Sequence, residues 1–98
     1  MESNELIPVH HFCITHSIEL SFVESLQQYG LVEITRIQEE RYFKESQLEE
    51  LEKFVRLHYD LDINIEGIEA ISHLLKKIQE MQERNMQLQN RLGLYENL

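Results

Sequence analysis

The sequence predicts a mainly α-helical fold with a small β-hairpin and a long C-terminal helix. Three observations lead to this prediction. Apolar residues recur at helical spacing in four separate stretches. Residues 31–43 alternate loosely between apolar and polar side chains, which is typical of a short hairpin. The last third of the chain repeats apolar residues at alternating spacings of three and four, the pattern of a coiled coil.

The first third of the chain predicts two short helices joined by a brief turn. Residues 1–6 are expected to form an irregular end, and Pro8 suits the first turn of a helix that runs to His16. A second helix begins near Glu19. Its apolar positions keep helical spacing and are Phe22, Val23, Leu26 and Tyr29. Gly30 ends this helix, because a left-handed residue there favours glycine.

A hairpin, or wing, and a third helix follow. Residues 31–37 and Tyr42-Phe43 predict its two strands, with residues 38–41 as the turn. Ser46 and Glu49 have the spacing of a capping box and predict the start of the third helix. Its inward stripe is Leu48, Leu51, Phe54, Val55, His58 and Leu61. Two short helices, a wing and two longer helices make a winged helix-turn-helix with a coiled-coil extension.

The long helix is expected over residues 65–95, with Asn64 as N-cap and Ile63 and Ile68 as a hydrophobic staple. At 1.5 Å per residue it is about 45 Å long, too long for a small domain to cover. We therefore expect its apolar seam to pair with a second copy of the chain. The seam is Ile71, Leu74, Ile78, Met81, Asn85, Leu88, Leu92 and Tyr95. The alternative is an amphipathic helix that lies on its own domain.

The 98 residues suggest one compact unit, with a winged helix-turn-helix in residues 1–63 and a dimerisation helix in residues 64–98. The first residues, MESNELIP, lack a secretory signal pattern, and the sequence contains no long apolar run. Cys13 is the single cysteine and fits a reducing compartment. We therefore expect a cytoplasmic protein that does not insert into membranes.

The net charge of −9 is unevenly distributed. The first 35 residues contain five glutamates and no Lys or Arg. An acidic protein repels nucleic acid and anionic membranes and attracts basic partners. Arg36, Arg41 and Lys44 form a basic cluster on the predicted wing, but neighbouring glutamates dilute it. Nucleic-acid binding is therefore not favoured.

Metal binding and catalysis are not expected either. His10, Cys13 and His16 are spaced three residues apart along the first helix, and residues at this spacing do not stay on one helix face. The sequence also has no second pair of ligands to complete a tetrahedral metal site. Cys13 is predicted to be a core thiol. The sequence has no glycine-rich phosphate loop and no catalytic-triad spacing with supporting glycines. We expect no enzyme, no catalytic residue and no cofactor.

Three segments of the chain resemble a known family. They are FCITHSI from Phe12, YGLVE from Tyr29, and VRLHYDLDINIEGIEAI from Val55 to Ile71. The sequence from Val9 to Ile71 resembles the MerR-type winged-helix domain. More narrowly, it is similar to the chaperone-modulator proteins, small inhibitors of the J-domain co-chaperone called curved-DNA-binding protein A.

The chain also departs from this family. Residues 64–66 replace a Trp-Pro pair, and Ser17 replaces the turn glycine between the first two helices. MerR-type regulators carry arginines at the start of the second helix, whereas this chain has Glu19, Leu20, Ser21 and Glu24. The resemblance therefore implies the fold of a DNA-binding protein without its DNA-reading residues.

Two groups of residues are candidates for contact with a protein partner. The acidic residues of the wing and third helix are Glu39, Glu40, Glu45, Glu49, Glu50 and Glu52. The end of the third helix adds Arg56, His58, Asp60 and Asp62. The first group is alternatively a solvated helix face. The second is alternatively an intramolecular clamp, with Arg56 bound to an acid one turn away and His58 buried against the long helix.

The resemblance and the excess of acidic residues imply a chaperone modulator that occludes the J-domain of its co-chaperone, and the coiled-coil seam predicts that it is a homodimer. A J-domain of this class has a basic helix, to which an acidic surface is complementary. The alternative is a MerR-like DNA-binding transcription regulator. A third possibility is a purely structural oligomerisation adapter.

Overall fold

The computed structural model of the protein describes the backbone of residues 5–96 and the side chains of residues 5–94. The helices are α1 (Val9–His16), α2 (Leu20–Gln28), α3 (Leu48–Val55) and α4 (Ile65–Glu96). The strands are β1 (Leu6–Pro8), β2 (Thr35–Ile37) and β3 (Glu40–Lys44). A 3₁₀ turn (Glu45–Gln47) precedes α3, and a π-helical turn (Arg56–Asp60) follows it. The molecule measures 61 × 32 × 21 Å, because α4 extends well beyond the rest.

The wing is part of a three-stranded antiparallel sheet in the order β1-β3-β2. The predicted hairpin is confirmed, since Thr35 pairs with Tyr42, but its first strand covers only Thr35–Ile37 and residues 31–34 form a loop. The expectation of an irregular end over residues 1–6 is wrong at Leu6, which lies in β1 and pairs with Lys44, whereas residues 1–4 lie outside the described part of the chain. Hydrogen bonding to β3 and the packing of half-buried Ile7 on the core explain this strand.

Left-handed residues form the tight turns of the fold. Ser17 has φ 54° and its N–H donates to the Ile14 carbonyl, which closes the turn between α1 and α2. Gly30 has φ 72° after α2, as predicted. Gln38 has φ 57° in the hairpin, and β3 already begins at Glu40, so the turn is shorter than the predicted residues 38–41.

The start of α3 differs from the predicted capping box. The chain first makes the 3₁₀ turn, and neither Lys44 nor Gln47 caps the helix that follows it through a side-chain hydrogen bond. The Gln47 side chain instead accepts from the Glu33 N–H at 2.8 Å and donates to the Glu33 carbonyl at 2.9 Å. This paired contact fixes the start of α3 against the loop before the wing.

The hydrophobic core joins both short helices, the sheet, α3 and the first turn of α4. Its buried residues are Val9, Phe12, Cys13, Ile18, Phe22, Val23, Leu26, Val32, Phe43, Leu51, Phe54 and Ile68. Cys13 is a core thiol, as predicted, and burial raises its pKa. Leu61, predicted in the inward stripe of the third helix, is 63 % exposed, because the π-helical turn changes the helical register after Val55.

The predicted start of α4 is confirmed. The Asn64 side-chain oxygen accepts from the Gly67 N–H at 2.8 Å, which is an N-cap contact. Ile68 is fully buried and Ile63 packs against the same core, as expected for a hydrophobic staple. Beyond Ser72, nearly all of the described helix is exposed. None of the helices within residues 5–96 is both long enough and apolar enough to cross a membrane.

Candidate protein-binding surfaces

The helix-turn-helix presents an acidic α2 to solvent. Glu19 and Glu24 are exposed on or next to this helix, which contains no Lys or Arg. Arg41 of β3 lies 3.8 Å from the Glu24 carboxylate, measured from Nη1 to Oε1. Arg41, a cation of the wing, is therefore paired with the Glu24 carboxylate of α2. Arg36 and Lys44 remain exposed on the wing.

The predicted acidic contact residues are divided between the wing and α3. Glu39 lies in the hairpin turn, and the Glu40 carboxylate is 3.6 Å from the His10 ring. Glu45 begins the 3₁₀ turn. The other predicted acids, Glu49, Glu50 and Glu52, are exposed on α3.

Two of these acids line a cleft of about 310 Å³ between α3 and α4. Glu49 and Glu50 line it together with Lys53 and Lys76, so carboxylates and ammonium groups share the cleft. The structure thus brings Glu49 and Glu50 together in this cleft, and leaves Glu52 outside its lining. The cleft has mixed charge rather than a purely acidic wall.

A second cleft of about 460 Å³ adjoins the first, and the two together are called the α3–α4 groove. The second cleft is lined by Lys53, Arg56, Leu57, Asp60, Leu61, Ile71 and Leu75. Both clefts share Leu57, Ile71 and Leu75, which form an apolar floor. Leu61 and Leu75 are largely exposed in the single chain. Such a floor can supply desolvated contacts to another protein.

The π-helical turn holds Arg56 and His58, the two residues of the alternative intramolecular clamp. The His58 Nδ1 lies 2.8 Å from the Ile63 carbonyl, and its ring stacks on Phe22 with centroids 4.5 Å apart. His58 therefore packs against α2, and its predicted burial against the long helix is wrong. Arg56 is exposed and forms no ion pair with any residue that the structure describes, so the predicted bond to a nearby acid is also absent.

Asp60 and Asp62, the remaining members of this group, are exposed. Asp62 adopts a left-handed conformation with φ 57°, which helps turn the chain towards α4. Asp60 lines the α3–α4 groove, whereas His58 lies on the other side of the turn, against α2. The four predicted residues therefore do not form one surface.

A third cleft, called the aromatic cleft, lies where the N-terminal ends of α2 and α4 meet the π-helical turn. Its volume is about 260 Å³. It is lined by Glu19, Ser21, Phe22, Ser25, His58, Tyr59, Asn64, Ile65 and Glu66. The Glu19 N–H donates to the Tyr59 hydroxyl oxygen at 3.0 Å, and Tyr29 donates its hydroxyl to the Glu66 carboxylate at 2.8 Å.

The contacts of Glu66 shift the pKa values of two side chains, Glu66 itself and Tyr29. Its own backbone N–H and then the Tyr29 hydroxyl stabilise the carboxylate and lower the pKa of Glu66. The hydrogen bond to Glu66, desolvation and the charges of Glu66 and Glu69 raise the pKa of Tyr29. Glu66 is therefore ionised, and Tyr29 neutral, at physiological pH.

The predicted dimer seam of α4 is mostly uncovered in the single chain. Ile71 is half-buried against its own α3, which is a different environment from the rest of the seam. The exposed seam residues are Leu74, Ile78, Met81, Asn85, Leu88 and Leu92. The side chain of Tyr95 lies outside the described residues. A shallow, largely apolar cleft of about 550 Å³ follows the seam from Ile78 to Leu88.

Comparisons with known proteins place this fold in a family. Residues 7–90 match the family of MerR HTH family regulatory proteins. The chain belongs to this family. It is also similar to the chaperone modulatory protein CbpM of Pseudomonas entomophila (strain L48), with 29 % identity over 84 residues. That similarity covers 85 % of this chain and 83 % of the relative. No solved structure gives a significant match.

The family assignment confirms the predicted MerR-like fold. In this MerR-family chain, α1 and α2 form the helix-turn-helix, β2 and β3 form the wing, and α4 is the long C-terminal helix. The matched residues reach Asn90 and thus include most of α4.

The aromatic cleft was not predicted from the sequence. Helical spacing predicts Tyr29 on the apolar face of the second helix, but its hydroxyl reaches Glu66, 37 residues away. Glu19 meets Tyr59 over a separation of 40 residues. The available signal was the pair of aromatic residues at His58-Tyr59, within the segment that carried the family resemblance.

Proposed function

We propose that this protein is a chaperone modulator that binds and inhibits the J-domain of a co-chaperone of the curved-DNA-binding-protein-A type. The observation that carries the proposal is the similarity to the chaperone modulatory protein CbpM over 85 % of the chain. The J-domain as target follows from the family resemblance of Val55–Ile71. We propose that the protein acts in the cytoplasm.

The charge of the helix-turn-helix supports this function over DNA reading. A DNA reader needs cations near phosphates and donors directed at base edges. Here α2 carries Glu24 and is preceded by Glu19, and Arg41 is paired with Glu24. Carboxylates at these positions oppose the counterion release that drives DNA binding. They attract the basic helix of a J-domain instead.

The proposed mechanism is occlusion. The bound protein covers the J-domain surface that would otherwise stimulate the ATP-driven chaperone. Exposed Glu49 and Glu50 supply complementary charge, and the floor of the α3–α4 groove supplies apolar contact. The acids of the wing tip, Glu39 and Glu40, extend the negative surface.

We further propose that the active form is a homodimer through α4. The exposed seam residues occupy one face of a helix that its own domain leaves uncovered. Apolar residues at alternating spacings of three and four pack into a second helix with the same pattern. The amide of Asn85 finds a partner of the same kind across such an interface.

The binding test uses purified full-length protein and an isolated J-domain, followed by calorimetry. We expect saturable binding and loss of the J-domain's stimulation of the chaperone ATPase. Reversal of Glu49 and Glu50 to Lys is expected to weaken binding, whereas Glu80→Lys with Glu83→Lys on distant α4 is the matched control. Absence of binding to any such J-domain would refute the proposal, and tight binding to a defined operator would then support a transcription regulator.

The second candidate function is transcription regulation by DNA binding. The family match and the exposed wing cations Arg36 and Lys44 favour it. A mobility-shift assay in moderate salt with promoter fragments from the gene's own neighbourhood separates the two candidates. A defined, competitor-resistant complex would support the regulator. If neither DNA nor a J-domain binds while α4 still dimerises, the chain is an oligomerisation adapter.

A further inference from the structure

We infer that the aromatic cleft binds a basic side chain, most favourably arginine, presented by a protein partner. The identity of the partner rests on the function proposed above, the J-domain with its basic helix. The kind of side chain rests on the cleft itself. Charge, aromatic surface and size each point to the same ligand.

The charge of the cleft is negative. Glu19 and Glu66 stand on its walls, and its lining contains no Lys or Arg. The two clefts of the α3–α4 groove contain Lys53, and the cleft along α4 contains Arg84. The N-terminal ends of α2 and α4 each add about half a positive charge, which is less than the full charge of each carboxylate. A cation therefore gains attraction here that the other clefts do not offer.

The aromatic residues form a wall that suits a guanidinium group. Phe22 and His58 are stacked, and Tyr59 meets both edge-on at centroid distances of 5.4 Å and 4.8 Å. Tyr59 is 42 % exposed, so part of its ring faces solvent. Aromatic rings attract cations within about 6 Å of the ring centre. Arginine is favoured over lysine because its planar group both stacks on rings and donates several hydrogen bonds.

The positions of these groups are set before any ligand arrives. The Glu19 N–H holds the Tyr59 hydroxyl at 3.0 Å, and Ser21 donates to the Glu19 carboxylate at 3.2 Å. The Tyr29 hydroxyl holds Glu66 at 2.8 Å. Groups that are already oriented lose less conformational entropy on binding.

The size of the cleft indicates a side chain rather than a free metabolite. Its volume of about 260 Å³ lies below the range of about 300–1,000 Å³ that is usual for small-molecule sites. The cleft is also open to solvent along the exposed residues Glu19, Tyr59 and Glu66. A side chain that projects from a partner surface can enter it without a closing lid.

A direct test uses acetyl-arginine-amide as a probe, because it presents one arginine side chain without charged termini. Proton NMR of the full chain follows the ring resonances of Phe22 and Tyr59 during titration. We expect saturable shifts with the arginine probe, smaller ones with acetyl-lysine-amide, and none with acetyl-glutamine-amide. The isosteric variant Glu19→Gln/Glu66→Gln, called the cleft variant, should lose these shifts.

The partner is tested by calorimetry with the isolated J-domain. The cleft variant is expected to bind about five- to tenfold more weakly than the wild type, as for two solvent-accessible ion pairs. Glu80→Gln/Glu83→Gln is the matched control, since it makes the same charge change on exposed α4 residues that line none of the four clefts. Tyr59→Ala should also weaken binding, and Tyr59→Phe should weaken it less, because it keeps the ring and loses only the contact with the Glu19 N–H.

The outcomes separate the cleft from the proposed function. An unchanged spectrum with the arginine probe overturns the inference, whatever the J-domain does. A J-domain that binds the wild type and the cleft variant equally also overturns it, and leaves the chaperone-modulator function standing. A J-domain that does not bind the wild type overturns that function, and the arginine titration alone then decides for or against the cleft. Melting temperatures of all variants show whether each is folded.

Discussion

At the scale of single residues, a few local hydrogen bonds determine where α4 begins. Asn64 caps the helix, and the following Gly67 leaves no room for a side chain, since an added Cβ would lie 2.7 Å from the Ile63 Cγ2. The cap contact therefore requires both an oxygen at residue 64 and glycine at residue 67. These contacts place Ile68 in the core and Glu66 at the aromatic cleft.

Removal of the cap is expected to reduce stability. Asn64→Ala leaves the Gly67 N–H without its side-chain acceptor and should lower the free energy of unfolding by about 1 kcal/mol. Asn90→Ala is the matched control, because Asn90 is exposed near the C-terminal end of α4, far from the cap, and alanine is the better helix former. Urea unfolding followed by circular dichroism measures both. Equal effects of the two substitutions would contradict the cap.

The contact between Tyr29 and Glu66 predicts a pH dependence. A lowered pKa in the folded state means that Glu66 contributes stability above its ordinary pKa, near 4.5, and loses it as the pH falls through the folded value. Tyr29 has a raised pKa, so its contribution is present at neutral pH and is lost in alkali. Tyr29→Phe should move the pKa of Glu66 upwards, towards its ordinary value. Carbon NMR of the Glu66 carboxyl group measures this, and no upward movement would contradict the contact.

At the scale of elements, α4 is the helix whose apolar face lacks a covering layer. Its first two turns pack into the core through Ile68 and towards α3 through Ile71, whereas the seam residues from Leu74 to Leu92 face solvent. An exposed apolar face of this kind usually marks an interaction site.

Charges on the seam are expected to prevent formation of the proposed dimer. Ile78→Lys with Met81→Lys places two ammonium groups among apolar seam residues, which opposes burial against a second helix. Gln87→Lys with Asn90→Lys adds the same charge at exposed positions off the seam. Sedimentation should show monomers for the seam variant and dimers for the control. A seam variant that keeps the mass of a dimer would mean that the two chains meet somewhere other than this seam.

The elements differ in how far the sequence reveals them. The start of α4 and the hairpin could be predicted, because Asn64 and the alternation around Ile34 act through neighbouring residues. Strand β1 could not, since three residues carry no periodicity and Leu6 pairs with Lys44 from far along the chain. The π-helical turn was missed for a related reason. A continuous α-helical pattern placed Leu61 inside, whereas one wider turn leaves it exposed.

For the candidate sites, too, the sequence reveals what depends on neighbouring residues and does not reveal what depends on packing between distant elements. Exposure of Glu49 and Glu50 could be predicted from a helical face, because residues on the face opposite an apolar stripe point to solvent. The neighbours of those acids could not. Lys76 reaches the same cleft from α4 and matches their charge, and this depends on helix packing rather than on local sequence.

At the scale of the whole molecule, excess negative charge controls which partners approach. The chain carries a net charge of −9, and the helix-turn-helix face shares in this excess through Glu19 and Glu24. Long-range attraction between an acidic protein and a basic helix increases the association rate and is screened by salt.

Salt should therefore weaken J-domain binding mainly through the association rate. Between about 50 mM and 200 mM salt we expect slower association with little change in dissociation, since the Debye length shortens over this range. Stopped-flow measurements separate the two rates. Random-sequence duplex DNA is the comparison ligand, and binding of that duplex that falls steeply with salt would contradict the charge argument.

The length of α4 has a consequence for valency. The helix has 32 residues and is about 48 Å long, while the aromatic cleft and the α3–α4 groove both lie near its first turns. A pair of chains joined along α4 would carry two copies of each surface on one stiff support. A partner that is itself a dimer could then bind both copies at once. Its second binding event would be intramolecular and would take place at a high effective concentration. Avidity of this kind gives a dimeric partner a long residence time even when the affinity of each single copy is modest.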